Sequence, residues 1–186
     1  MVWISKSDAE TVAIQELTAL PPRAAAIVGV ALVHSRIATM VAAKFPNDGN
    51  TKKGLFRENG ALAGYDTQTK MAYAFGIISD RALRDCQRLG RVRNLFAHNL
   101  EVADFKHPLV GPECLELELV ERHLFPQGEE SADRSISPRS YIENLAENLA
   151  DNRNRFQLTA MLVTSSLTPL IQAGGVQKPA VRRVLI

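Results

Sequence analysis

ISDRALRDCQRLGRVRNLFAH, residues 78–98, is the stretch on which the fold turns. Ser79 offers a hydroxyl that can cap a helix, and Asp80 places a carboxylate at the positive end of the helix dipole. A helix is therefore predicted from residue 80 to about residue 97. At about 100° per residue, with Leu83 at zero, Cys86, Leu89, Gly90, Val92, Phe96 and Ala97 fall within one arc, and Arg84, Gln87, Arg88 and Arg91 fall opposite. One face is greasy and the other basic. Arg93 breaks the pattern, because it falls at about 280°, in the middle of the apolar arc. Burying a lone guanidinium costs several kcal/mol, so Arg93 is expected to meet a carboxylate, a backbone carbonyl, an anion or a second protomer.

Helical signals continue on both sides. Upstream, a helix is predicted from about Asp66, with Met71, Ala72 and Phe75 inward, ending at Gly76, which suits the left-handed position past a helix end. PNDGNTKK, residues 46–53, is a polar, turn-rich break, and residues 55–64 are expected to continue as loop with about one helical turn. Residues 22–45 are rich in Ala, Val and Ile, with Pro22 in the first turn. Their apolar groups point to nearly every side, which implies burial among other helices. A first helix is expected from just after Ser7 to Leu20, stopped by Pro21 and Pro22. Downstream, residues 113–124 are predicted helical, although CLELELV alternates like a strand. QGEESADRSISPR, residues 127–139, has the composition of a connector. The last and longest helix is expected from Ser140, with Ile142, Leu145, Leu149 and Phe156 on one face, until Pro169 kinks or ends it shortly before Gly174 and Gly175.

Strand signals are weak, and aromatic residues make up only 6% of the chain. The expected fold is all-α, a single-domain bundle of about five to seven helices with a long C-terminal helix. The helical domain would cover residues 1–173, with a basic and apolar tail over 174–186 that either docks or frays. A chain of 186 residues buries one core. Hydrophobic residues at 46% and charged residues at 23% exclude wholesale disorder. The apolar runs at 24–33 and 158–163 are shorter than a membrane span needs, and no secretory signal is read at the N-terminus, so a cytoplasmic protein with no membrane contact is expected. Cys86 and Cys114 are too few for a disulfide framework and lack zinc spacing; both are expected to be core thiols. Glu143, Glu147 and Asp151 share a face but lack the Glu-x-x-His partners of a bundle metal site, so no metal and no other cofactor is assigned. A net charge of +2 does not by itself call for a nucleic-acid partner.

Arg93, Asn94 and His98 spell an Arg, four residues, then a His. This resembles the Arg-x4-6-His motif of the HEPN superfamily, in which a polar residue often follows the Arg. The wider stretch at 55–98, including NGALAGYDTQTKMAYAFGIISDRALRDCQRLGRVRNLFAH, resembles the mannitol operon repressor family. The shared parts are a Gly-containing loop at 60–64, an apolar helix closing at Gly76, the turn Ile77-Ile78-Ser79-Asp80, and a helix ending in Arg-x4-His. That resemblance implies a helical transcription regulator, and the HEPN motif implies a metal-independent ribonuclease working at a dimer cleft. In the second case His98 would move a proton at a ribose hydroxyl while Arg93 stabilises charge at phosphorus, with Asn94 assisting.

No helix-turn-helix and no zinc-finger spacing is present in the sequence. Arg81, Arg84, Arg88 and Arg91 form a basic stripe, with Lys52, Lys53 and Arg57 nearby in sequence. Arg84, Arg88 and Arg91 are the candidate phosphate- or partner-binding residues. Such a surface would grip an RNA or DNA backbone without reading bases, and its grip would fall with salt. A homo-oligomer and a regulatory protein partner are the expected associations. His34 is expected to be a hydrogen-bonded core residue and His107 and His123 to be exposed. Trp3 and Phe45 are expected to pack.

Overall fold

The structure, a computed structural model, describes residues 12, 16–45, 49–124 and 149–172. Its regular elements are all helical: α1 (Pro22–Ala42), α2 (Gly49–Phe56), α3 (Tyr65–Ala74), α4 (Asp80–His98), α5 (Gly111–Leu115), α6 (Leu119–Leu124) and α7 (Asn152–Gln172). The helix expected after Ser7 falls mostly outside the described residues. So do Trp3, the 127–139 connector, the start of the last helix with Ile142, Leu145, Glu143 and Glu147, and the 174–186 tail.

The central helix is α1, packed against α7, α4 and α3. Pro22 sits in its first turn, where a missing N–H costs nothing. Ala25, Ala26, Val30, Val33, Ile37 and Val41 are buried in the core. By length and composition α1 could cross a membrane, but 56% of its most apolar window is buried inside the fold. The apolar run of this helix is thus longer than the segment at 24–33 suggested, and tertiary packing accounts for it. Gly29 lets α7 close on α1, since a Cβ there would meet Phe156 Cε1 at 3.2 Å. Phe96 of α4, Phe105 of the following loop and Phe156 of α7 form a ring stack with centroids 4.8 and 5.2 Å apart. This stack ties three parts of the chain that are distant in sequence.

Two local expectations need correction. The 46–64 region is not loop throughout, because residues 49–56 form α2. Phe56 stacks edge-on against Phe45, which also meets Phe75, and this packing holds a segment whose own helical preference is poor. The segment at 113–124 is two short helices rather than one. The break falls at 116–118, where Asp85 of α4 accepts the backbone N–H groups of Glu118 and Leu119 at 2.9 and 2.8 Å. That carboxylate caps α6 from a neighbouring helix, so the chain can start a new helix there. The helix α7 runs through Pro169 to Gln172, the last described residue, so the expected stop before Gly174 lies outside the described residues.

Candidate functional site

The helix α4 forms as its sequence dictates. Ser79 accepts the N–H of Ala82 at 3.2 Å, Asp80 lies in the first turn, and Cys86, Leu89, Val92 and Phe96 are buried. Its C-terminal end is held by a residue from α1. Arg23 donates to the carbonyls of Asn99 at 3.1 Å, Leu100 at 3.4 Å and Val102 at 3.2 Å, and also to that of Phe96. A cation there answers the negative end of the α4 dipole and collects carbonyls that a helix end leaves unpaired.

The basic stripe meets an acidic row. Arg91 forms a two-point contact with Glu113, at 3.0 and 2.9 Å, and Arg88 pairs with Glu116 at 3.1 Å. Arg81 pairs with Glu118 at 3.3 Å, and Arg84 pairs with Asp80 within its own helix. The three candidate phosphate- or partner-binding arginines therefore each already have a carboxylate.

Arg93 is half-buried, and Asn94 and His98 are exposed. Arg93 and Asn94 line a cleft of about 490 Å³ together with Gly64, Tyr65, Asp66, Gln87, Gly90 and Arg91; His98 is not among its lining residues. Of the partners expected for Arg93, neither a carboxylate nor a backbone carbonyl among the described residues lies within bonding distance of its guanidinium. Its charge acts on His34 of α1 and on Tyr65 of α3. The Tyr65 ring stands edge-on to His34, centroids 5.5 Å apart, and its hydroxyl donates to the Cys86 carbonyl at 2.8 Å. Burial, with the neighbouring Cys86 adding, pushes the Tyr65 phenol well above its ordinary value. Burial also lowers the His34 pKa; Gln68 beside it opposes this, and the Arg93 charge reinforces it. His34 is half-buried rather than fully in the core, with the Gln68 side chain beside its ring.

Other buried polar groups shape this region. Arg36, not Arg93, is the fully buried arginine. Its signal was present, since it and Arg23 are the only Lys or Arg residues in the 21 residues of α1. Asp85 is buried, and burial raises its pKa against the opposing pull of the Leu119 and Glu118 N–H groups and of Arg88. Cys86 and Cys114 are free, buried thiols pushed up to about 12 by burial. Both sit in the core as expected. His107 is half-buried and accepts the N–H of Leu109 at 3.2 Å.

Set against known proteins, the chain matches no protein-family sequence model and no curated sequence. It does match a solved structure, a chain of the MtlR–HPr complex from Escherichia coli, with a TM-score of 0.61 and 21% identity. The match covers 87% of this chain and 99% of that one. At that identity the likeness is one of fold, and it extends over nearly the whole partner chain.

Proposed function

We propose that this chain is a helical regulator of the mannitol operon repressor type that acts by binding a protein partner, and that the partner is an HPr-like protein. The observation that carries this is the shared fold with a chain of the MtlR–HPr complex, matched almost end to end. The resemblance read from residues 55–98 points the same way. The arginine row supports a protein partner over nucleic acid, because carboxylates within the chain already neutralise Arg84, Arg88 and Arg91. Phosphate binding depends on cations free to release counterions. These arginines would instead present paired, oriented charge at the rim of a protein interface. Self-association through the face that carries Arg93 belongs to the same proposal, as does a cytoplasmic setting. The test is calorimetric titration of the full chain with purified HPr from the same source. Saturable binding in the micromolar range is expected, and heat no greater than dilution at the highest soluble concentrations would overturn the reading.

One observation favours a second reading, a ribonuclease. Arg93 faces an open cleft with no described counter-charge, Asn94 is beside it, and His98 is exposed five residues on. RNA cleavage by the wild type, with loss in folded Arg93→Ala and His98→Ala, would carry it. An intact RNA substrate after incubation with folded wild type would end it for that substrate.

A further inference from the structure

We infer that the cleft between α3 and α4 is a binding site for the oxyanion group of a small polar molecule, held by the Arg93 guanidinium with Asn94 and Gln87. This does not rest on the protein-partner proposal, since the cleft would serve as an effector site whatever docks elsewhere.

The case starts from charge accounting inside the cleft. Of the charged side chains that line it, Arg91 is matched by Glu113 and Asp66 by Lys70 at 2.6 Å. Arg93 is the third, and among the described residues it has no hydrogen bond and no ion pair. The imidazole of His34 and the phenol of Tyr65 both feel its charge, and neither offers a negative charge at neutral pH. The Tyr65 hydroxyl is already committed to the Cys86 carbonyl. Gln87, six residues before Arg93 on α4, and Asn94, next to it, line the same cleft, and their amides likewise have no hydrogen-bond partner among the described residues. Three polar side chains with open bonding capacity thus converge on one hollow.

A guanidinium removed from much of its water is stabilised by a planar, two-oxygen acceptor, which a carboxylate or phosphate supplies. The amides can donate to such an oxyanion or bond the hydroxyls of the molecule that carries it. A volume of about 490 Å³ lies within the range of small-molecule sites, and it is far too small for a folded partner. Gly64 on the lining is exposed and carries no side chain to fill the space.

The experiment is a titration of the full chain followed by amide and side-chain NMR at constant ionic strength. Inorganic phosphate is the probe in one arm and acetate in the other, to separate the two oxyanions. Saturable shifts confined to Gly64, Gln87, Arg93 and Asn94 with either probe are expected. Affinity should fall at least about tenfold in Arg93→Gln, less in Arg93→Lys, and stay unchanged in Arg122→Gln, whose side chain pairs with Glu118, the residue before α6. Asn94→Ala, at an exposed position, keeps the test open should Arg93→Gln fold poorly; it too should weaken binding. Shifts that never saturate, equal affinity in folded Arg93→Gln and wild type, or cleft shifts with an RNA oligonucleotide but with neither small anion would each overturn the inference.

Discussion

Gly90 lies against the ring of Tyr65: a Cβ at position 90 would stand 2.8 Å from Tyr65 Cε1 and 3.1 Å from Cδ1. The ring has little freedom to retreat, because its hydroxyl is bonded to the Cys86 carbonyl and its edge meets His34. In an exposed helix, Gly→Ala would add about 1 kcal/mol of stability. Here overpacking costs about 1–3 kcal/mol, so Gly90→Ala is expected to lower stability by on the order of 1 kcal/mol net. Urea denaturation checks this. Tyr65→Leu in the same chain should recover part of the loss, since the two positions share one contact; a Gly90→Ala protein more stable than wild type would contradict the packing described.

Asp85 offers a sharper test, because its two oxygens differ. Oδ2 accepts two N–H groups at the start of α6, while Oδ1 is buried without a partner. Asp85→Ala strands both N–H groups and is expected to cost about 1–3 kcal/mol. Asp85→Asn keeps an accepting oxygen and should cost much less. The pH dependence has a definite sign. Burial raises the folded-state pKa above the ordinary 3.8, so the folded chain holds this proton more tightly than the unfolded chain does. The contribution from this group is therefore greatest below the ordinary value and is lost as pH rises through the raised one. Stability measured across that window should lose this downward slope in Asp85→Asn.

Arg23 is expected to matter more locally than globally. Its guanidinium serves four carbonyls at the end of α4, with Asn99, Leu100 and Val102 at 3.1 to 3.4 Å. Arg23→Ala should cost about 1–3 kcal/mol by loss of charge-assisted bonds. Hydrogen exchange should localise the damage: amides near Phe96 and His98 should exchange faster, while those in the middle of α7 should change only as far as global stability does. Uniform acceleration throughout the chain would mean that Arg23 does not act as a clamp on α4.

These residues also show what the sequence could and could not reveal. The bounds of α4 were legible because cap, dipole charge and apolar period all lie within one stretch and agree. The contacts of Arg23 with Phe96 and of Asp85 with Glu118 join residues 73 and 33 positions apart, and no local pattern announces them. The break between α5 and α6 was hidden for the same reason, since the residue that caps α6 sits on another helix. The short helix α2 went unread because its glycines and polar residues carry little helical preference, while its support comes from Phe45. At the candidate site, periodicity put Arg93 in the middle of the apolar arc, and the structure leaves it half-buried on the wall of a cleft. Periodicity could not show that the neighbouring helix leaves a hollow there instead of a carboxylate.

The proximity of Arg93 to His34 can be read directly by titration. Three influences act on that imidazole: burial lowers its pKa most, Gln68 raises it, and the Arg93 charge lowers it further. A histidine with a lowered folded-state pKa resists protonation relative to the unfolded chain, so it contributes stability above the ordinary value of 6.5 that is lost as pH falls toward the lowered one. Arg93→Gln removes the positive charge and leaves burial in place. The NMR midpoint of His34 should therefore rise while remaining below 6.5, and acid destabilisation should begin to soften in the same range. Gln68→Leu should move the midpoint the other way. Added phosphate should raise the wild-type midpoint if an oxyanion seats beside Arg93, because it screens the same charge, and should leave the midpoint in Arg93→Gln nearly unmoved. A His34 midpoint indifferent to both substitutions would place Arg93 too far away to act on it and would dissolve the electrostatic core of the cleft.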